Sequence, residues 1–259
     1  MRRLGQPLSL LAAAISAGLV FVGCGPSRRS ETPTTSFIST STSVVVAPTT
    51  TTSVPSVFPY IALWPFRTVA DVRSWQQSYR STGNGAWHLN AATTALDFTK
   101  GYLGFTEINT VVSMTTNSTG AHVAVGYRPT SAVTSTSAVI HLVRWGGSNN
   151  APWEVVGTDD TTFSLTQPAY GATASSPLHV GGVITGVDEN IKVTVHQPSS
   201  TGALGSFCCL PAGGTDAPWS ATITFGGATD PVLTVTAQTG GHVQAVERFS
   251  VTGVRNPEH

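Results

Sequence analysis

The sequence predicts an α+β fold followed by an all-β sandwich, and three observations lead to this prediction. Helical periodicity is confined to the beginning of the folded region, a group of alternating apolar segments follows it, and the last third of the chain alternates without any helical stripe. Helices grouped before an antiparallel sheet are typical of α+β domains, whereas short alternating strands separated by glycine-rich turns are typical of sandwiches. We place the α+β domain at residues 59–158, the sandwich at 159–255 and a tail at 256–259.

Two helices are predicted at the start of the α+β domain. Thr68 is a suitable N-cap, and Asp71 stands three residues later, where it can complete a capping box. A second helix is predicted after Asn90, with an apolar stripe that ends at Gly104.

Four strands are predicted after the helices, because apolar residues alternate between turn-forming segments. They cover residues 110–115, 121–127, 138–145 and 153–157. The order of the elements is similar to nuclear-transport-factor-2-like and cystatin-like folds, in which helices cover one face of an antiparallel sheet.

The sandwich is predicted from segments with one apolar and one polar face, such as 191–196 and 219–225. Turns are expected between the segments at Asp188-Glu189-Asn190, at Gly226-Gly227 and at Gly240-Gly241.

The segment "LTQPAYGATASSPLHVGGVITG" carries a resemblance to a known family. Its spacing of Pro168, Gly171, Ser176-Pro177 and Gly182 resembles the opening of the bacterial immunoglobulin-like domain first described in spore-germination proteins. The resemblance covers about residues 160–254 and implies an immunoglobulin-like sandwich on an exported protein. The order of "ALWPF", "WHLNAATTALDF", "APWEVVGTDD" and "CCLPAGG" also resembles lipoproteins of actinobacteria.

The N-terminus has the pattern of an export signal. Arg2 and Arg3 precede an uncharged run, which ends in a small residue and Cys24 and so resembles the bacterial lipobox. We expect residues 1–23 to be a lipoprotein signal peptide and Cys24 to be lipidated; an ordinary cleaved signal and a retained anchor are the alternatives. Residues 24–58 are rich in Ser, Thr and Pro, which predicts a disordered stalk.

The charge composition limits the classes of partner that the protein can bind. The chain has 13 basic and 13 acidic residues, and removal of the signal leaves a formal charge of about −2 with no polybasic patch. We therefore expect contact with the membrane through the lipid and no binding of nucleic acid. The predicted location is extracytoplasmic, on the outer face of the plasma membrane.

No catalytic or metal-binding motif is apparent in the sequence, which has no HExxH, no GxSxG, no phosphate-binding loop and no calcium loop. The seven histidines are scattered singly. We interpret Asp159-Asp160 as solvated loop carboxylates and Glu247-Arg248 as an exposed edge of the last strand. We expect no cofactor and no metal.

Two tryptophans are the candidates for ligand contact. Trp64 in "LWPF" and Trp87 in "GAWHL" lie outside periodic segments, so they are the indole rings most open to a role in a pocket of the α+β domain. Core packing is the alternative for both.

Cys208 and Cys209 are adjacent and, with Cys24, make up all the cysteines of the chain. In an exported protein we expect a disulfide between them that stiffens a loop. Two reduced thiols and bonds to another chain are the alternatives. No other Cys or His lies nearby in the sequence to complete a metal site.

The predicted function is that of a non-enzymatic, lipid-anchored envelope protein, which binds or organises an unidentified protein or polysaccharide. A small-ligand-binding lipoprotein that uses a pocket in the α+β domain is one alternative. An envelope redox factor that uses Cys208-Cys209 is another.

Overall fold

The computed structural model describes residues 58–118, 120–129, 134–146 and 149–259. The predicted signal peptide, Cys24 and the predicted stalk up to residue 57 lie outside the described residues.

Short helical segments come first in the described chain. They are helix α1 (Val69–Thr82), a 3₁₀ turn (Ala86–Leu89), helix α2 (Ala91–Asp97) and a π-helical turn (Phe98–Tyr102). The capping box predicted for α1 is present, because the Thr68 hydroxyl accepts from the Asp71 N–H (3.1 Å) and the Asp71 carboxylate accepts from the Thr68 N–H (3.0 Å). Gly83 ends α1 with a φ of 73°, which an L side chain rarely adopts.

Two antiparallel four-stranded sheets form most of the structure, so the predicted β-rich architecture is confirmed at this level. The first sheet has the order β1-β2-β3-β4, and the second has the order β6-β5-β7-β8. The bounds of the strands are β1 Thr110–Thr116, β2 Gly120–Tyr127, β3 Ser135–Arg144, β4 Trp153–Thr158, β5 Leu178–His196, β6 Gly205–Ile223, β7 Val232–Thr239 and β8 Arg248–Arg255.

Strands β5 and β6 are each 19 residues long, and each of them contradicts one local prediction. The turn expected at Asp188-Glu189-Asn190 lies inside β5, because irregularities of register on either side of Gly186 bend the strand without reversing it. The chain reverses later, between His196 and Gly205.

The segment that holds the cysteine pair is also a strand, where a loop was expected. Lys192 of β5 pairs with Cys208 of β6, and Ile191 pairs with Leu210, so Cys209 is the extra residue of a β-bulge. Both cysteines are exposed. The pair therefore lies at an irregularity of a paired strand.

Two apolar clusters form the main core. The first lies between α2 and the first sheet, and it also takes in Phe249 and Val251 of β8. The second is formed mainly by β5, β6 and β7, together with Phe163 and Leu165. A smaller third cluster joins Phe66, Val72 and Trp145.

The described residues fall in one compact unit. The first cluster draws on residues from both sides of the domain boundary predicted at 158/159, since β8 packs against β4 and β3. No helix in the described portion of the chain is long and apolar enough to cross a membrane.

Candidate functional site

The structure brings Trp64 and Trp87 together. Their rings are stacked with centroids 5.5 Å apart, and Trp87 also stacks on His88 at 3.6 Å. Trp64 is half-buried against the first cluster and forms a β-bridge with Val155. The two indoles pack against each other, and neither ring lines the two clefts described below.

A buried carboxyl group lies beside this aromatic layer. Glu154 is fully buried on β4, where one carboxyl oxygen accepts from the Phe66 N–H (3.2 Å) and the other has no partner. Burial raises the pKa of Glu154 well above its ordinary value, and the hydrogen bond from the Phe66 backbone only partly opposes this. Burial therefore favours the neutral form of Glu154, which lines neither of the two clefts described below.

The cysteine pair offers no free thiol. A disulfide joins Cys208 to Cys209 through a cis peptide bond, with their Cα atoms 3.0 Å apart, whereas Cα atoms across a trans peptide lie about 3.8 Å apart. Among the described residues, no group of three or more His, Cys, Asp or Glu side chains could hold a metal ion.

A cleft of about 640 Å³ collects polar and aromatic side chains from distant regions of the chain. Its walls come from the segment before α1, from β3, from the end of β4, from the segment between β4 and β5, and from β8. The lining residues are Tyr60, His141, Val156, Gly157, Thr158, Asp159, Asp160, Leu165, Thr166, Ala169, Tyr170, Ser250, Val251 and Thr252.

Two tyrosine rings lie at this cleft, and the backbone of Ile61 holds one of them. The Ile61 N–H donates to the Tyr170 hydroxyl oxygen (2.7 Å), and that hydroxyl donates to the Ile61 carbonyl (3.3 Å). Tyr60 is the preceding residue, and its ring meets the His141 ring edge-on at 5.8 Å. The side chains are nevertheless open to solvent, since Tyr60 is 40% and Tyr170 47% exposed. Both rings are thus fixed in place and available to a ligand.

The sequence suggested that the histidines are isolated from one another, but two of them are in contact. His122 of β2 lies directly opposite His141 of β3, and their rings stack with centroids 4.5 Å apart. His122 Nδ1 lies 2.7 Å from a carboxylate oxygen of Asp159. Burial, reinforced by the nearby His122, lowers the pKa of His141, while Asp159 acts in the opposite direction. His141 is therefore held as the neutral imidazole at neutral pH.

The two adjacent carboxylates differ in their contacts. Asp159 is not simply solvated, because it pairs with His122. Asp160 is exposed and has no hydrogen bond or ion pair with another described residue. Asp160 can therefore accept hydrogen bonds from a bound molecule.

No protein-family model, curated protein or solved structure matches the chain. Function is therefore inferred from the residues of the chain itself.

A larger cleft, of about 840 Å³, lies along the middle of β5 and β6, but its lining is mostly Gly, Ala, Pro and Thr. Its charged residue, Glu189, is already bound by Arg248 at 2.7 Å and by the Thr239 hydroxyl. Arg248 also donates to the Thr185 carbonyl (2.7 Å), so the interpretation of Arg248 as an exposed edge residue is wrong. The smaller cleft, which has free aromatic faces and an unpaired carboxylate, is the better candidate. We call it the tyrosine cleft.

Sequence reasoning missed this site because it depends on strand register. Tyr60 and Tyr170 are 110 positions apart, and nothing in their local sequence indicates that both rings line one cleft. The one available signal was that His122 and His141 lie on neighbouring predicted strands, where cross-strand pairing is possible.

Proposed function

We propose that this protein is a non-enzymatic binding protein of the cell envelope, which captures its partner in the tyrosine cleft. The observation that carries the proposal is the pair of exposed tyrosine rings, with Tyr170 held by the backbone of Ile61 and Tyr60 packed edge-on against His141, in a cleft that also contains the unpaired carboxylate of Asp160. Binding sites that are formed before the ligand arrives lose less entropy on binding than sites that must be ordered. A volume of about 640 Å³ lies within the range of small-molecule pockets.

The same residues favour binding over catalysis. Asp159 is occupied by His122, Ser250 shares a hydrogen bond with Thr158 (3.2 Å), and the two described cysteines are bonded to each other. In the cleft, Asp159 and Ser250 are each tied to a neighbouring side chain, which suits a rigid binding surface. The cysteine pair, which lies outside the cleft, offers no thiol nucleophile.

The proposal includes a tether. Residues 1–23 as signal peptide, lipidated Cys24 and a stalk over residues 24–58 would place the cleft on the outer face of the plasma membrane, within reach of envelope material. The partner is an envelope component, either protein or polysaccharide. The lipid attachment is supported by the sequence pattern around Cys24.

The proposed architecture has two regions. The helices followed by the first sheet correspond to the α+β region at 59–158, similar to nuclear-transport-factor-2-like or cystatin-like folds. The all-antiparallel second sheet, together with the resemblance over residues 160–254, supports an immunoglobulin-like sandwich at 159–255. The tyrosine cleft draws residues from both regions.

Capture of envelope material by the full chain, purified in detergent, tests the cleft. We expect Ala169→Trp to reduce capture about tenfold or more, because Ala169 is an exposed lining residue and an indole there would fill the cleft. Ala203→Trp is the matched control, since Ala203 is exposed between β5 and β6 and does not belong to this lining. Equal capture by the two variants would contradict the proposed site.

The tether is tested separately by metabolic labelling with a fatty acid. Cys24→Ala should abolish incorporation of the label, while Cys208→Ser should leave it unchanged. Label that persists in the Cys24→Ala protein would exclude the proposed anchor.

A further inference from the structure

We infer that the ligand of the tyrosine cleft is a neutral saccharide, an inference that rests on the function proposed above. Three properties of the lining point to this class: exposed aromatic faces, hydrogen-bonding groups of both kinds, and the absence of a cationic side chain from the described lining.

The aromatic faces provide stacking surfaces. Tyr60 and Tyr170 each present a large exposed ring, while Tyr170 uses its hydroxyl on the Ile61 backbone. A ring fixed in this way loses little side-chain freedom when it packs against a flat, partly apolar ligand. The C–H faces of a sugar ring have this character.

The polar groups favour a ligand that both donates and accepts. Asp160 can only accept when ionised, whereas the Thr166 hydroxyl can do both. His141 is held neutral, so one ring nitrogen donates and the other accepts. Sugar hydroxyls match this mixture, because each one donates and accepts. A simple cation would use the acceptors alone and leave the donors of the cleft without partners.

The charge of the cleft argues against an anion. Asp159 and Asp160 both line it, and none of its described lining residues is Lys or Arg. A phosphate, sulfate or uronate group would meet the unpaired carboxylate of Asp160 with no Lys or Arg in the described lining to bind it, which is electrostatically unfavourable.

Calorimetric titration of the full chain in detergent tests the inference with neutral, anionic and cationic probes. Maltotetraose, chitotetraose and mannotetraose are the neutral probes, tetragalacturonate is anionic, and the fully deacetylated form of chitotetraose is cationic. We expect at least one neutral tetrasaccharide to bind and the anionic one not to bind. If no neutral probe binds, or if deacetylation of chitotetraose strengthens binding, the inference is overturned.

Variants then locate the site. Tyr60→Ala and Tyr170→Ala should each weaken binding about tenfold or more, because each removes a stacking surface. Met114→Ala is the control, since Met114 is similarly exposed (49%) and lies on β1, away from this lining. Unchanged affinity in both tyrosine variants overturns the inference.

Two further variants cover the case in which loss of a tyrosine ring disturbs folding. Tyr170→Phe keeps the stacking ring and removes its two hydrogen bonds to Ile61, so it should weaken binding less than Tyr170→Ala does, and an equal loss would count against stacking on this ring. Asp160→Asn removes a charge that has no described partner, so the fold is unaffected while binding weakens several-fold. An unchanged affinity for Asp160→Asn would also count against the inference.

The two proposals can fail separately. If no neutral saccharide binds but Ala169→Trp still reduces capture of envelope material, the cleft is a binding site and the ligand class is wrong. If capture is also insensitive to Ala169→Trp, the proposed function fails as well.

Discussion

Glu154 illustrates at the scale of one residue how burial changes chemistry. It is fully buried, and one of its carboxyl oxygens has no hydrogen-bond partner. An ionised carboxylate in this position would lose its hydration without full compensation, so the pKa of Glu154 is raised and the group keeps its proton. Such a group makes the stability of the protein depend on pH.

Glu154→Gln is expected to remove this dependence. The unfolded chain loses the proton above about pH 4.5, whereas the folded protein retains it, so the folded state binds more protons. Stability from this group is therefore highest below the unfolded-state pKa, and it falls as the pH rises toward the folded-state pKa, by about 1.4 kcal/mol per pH unit. Urea unfolding of both proteins at pH 5, 6, 7 and 8 should show a difference that grows in favour of the glutamine variant.

Buried histidines change the stability with pH in the opposite direction from Glu154. Their contribution must therefore be separated from that of Glu154. Burial lowers the pKa of His88 and of His196 to about 4, so both contribute stability above pH 6.5 that is lost as the pH falls toward 4. Both proteins carry these histidines, so their contribution cancels in the difference at each pH. Parallel stability curves for the two proteins would contradict an ionisable Glu154.

At this scale the sequence predicted little of the candidate site. Trp64 and Trp87 were chosen because they lie outside periodic segments, and the structure stacks them on each other. Tyr60 and Tyr170 line one cleft only because the fold brings them together, in part through the hydrogen bonds between Tyr170 and Ile61, and such tertiary contacts have no local sequence signal.

At the scale of the element, the backbone segment that contains Ser164 lies close against strand β5. Ser164 accepts from the Val183 N–H through its hydroxyl (3.0 Å), and its N–H donates to the Val183 carbonyl (3.0 Å). A Cβ atom on Gly182 would overlap the Ser164 carbonyl oxygen. Glycine at position 182 is therefore required for this segment to lie against β5.

Gly182→Ala should lower the free energy of unfolding by about 1–3 kcal/mol, because the Ser164 carbonyl cannot move without disturbing its bond from the Trp219 indole. Gly202→Ala is the matched control, since Gly202 lies between β5 and β6 with open space around its Cα. We expect the control to change little or to gain up to about 1 kcal/mol. Equal effects in urea unfolding would show that the close approach is not needed.

The elements were predicted best where local signals agree. The capping box around Thr68 and the alternating pattern of β2 identify α1 and β2 with nearly correct bounds. The long hairpin of β5 and β6 was predicted less well, because polar and glycine residues near 188 and 214 are also typical of turns. Pairing with the opposite strand decides between a turn and a bulge, and register cannot be read from one strand alone.

At the scale of the whole molecule, the core combines segments that are far apart in the sequence. Phe249 of β8 is fully buried and meets the Phe105 ring at 5.2 Å, in the cluster that α2 and the first sheet also form. The sequence predicted the β-rich character of the fold. It could not show this packing, because contacts between distant segments leave no periodicity.

Phe249→Ala should therefore destabilise both sheets together. Loss of a fully buried phenylalanine costs about 3–5 kcal/mol, and we expect unfolding of the described region to remain a single transition shifted to lower urea concentration. Circular dichroism and tryptophan fluorescence should report the same midpoint. Two separate transitions, with only one of them shifted, would mean that the sheets unfold independently.

The hydrogen bonds between Tyr170 and Ile61 have a practical consequence. They join segments 109 residues apart, so the tyrosine cleft exists only while the chain is folded. A molecule that binds there binds the native state alone, and at one hundred times its dissociation constant it adds about 2.7 kcal/mol to the free energy of unfolding. Heat resistance thus becomes a readout of occupancy, and a melting-temperature screen of compound libraries can find the natural ligand without an assay for its biology.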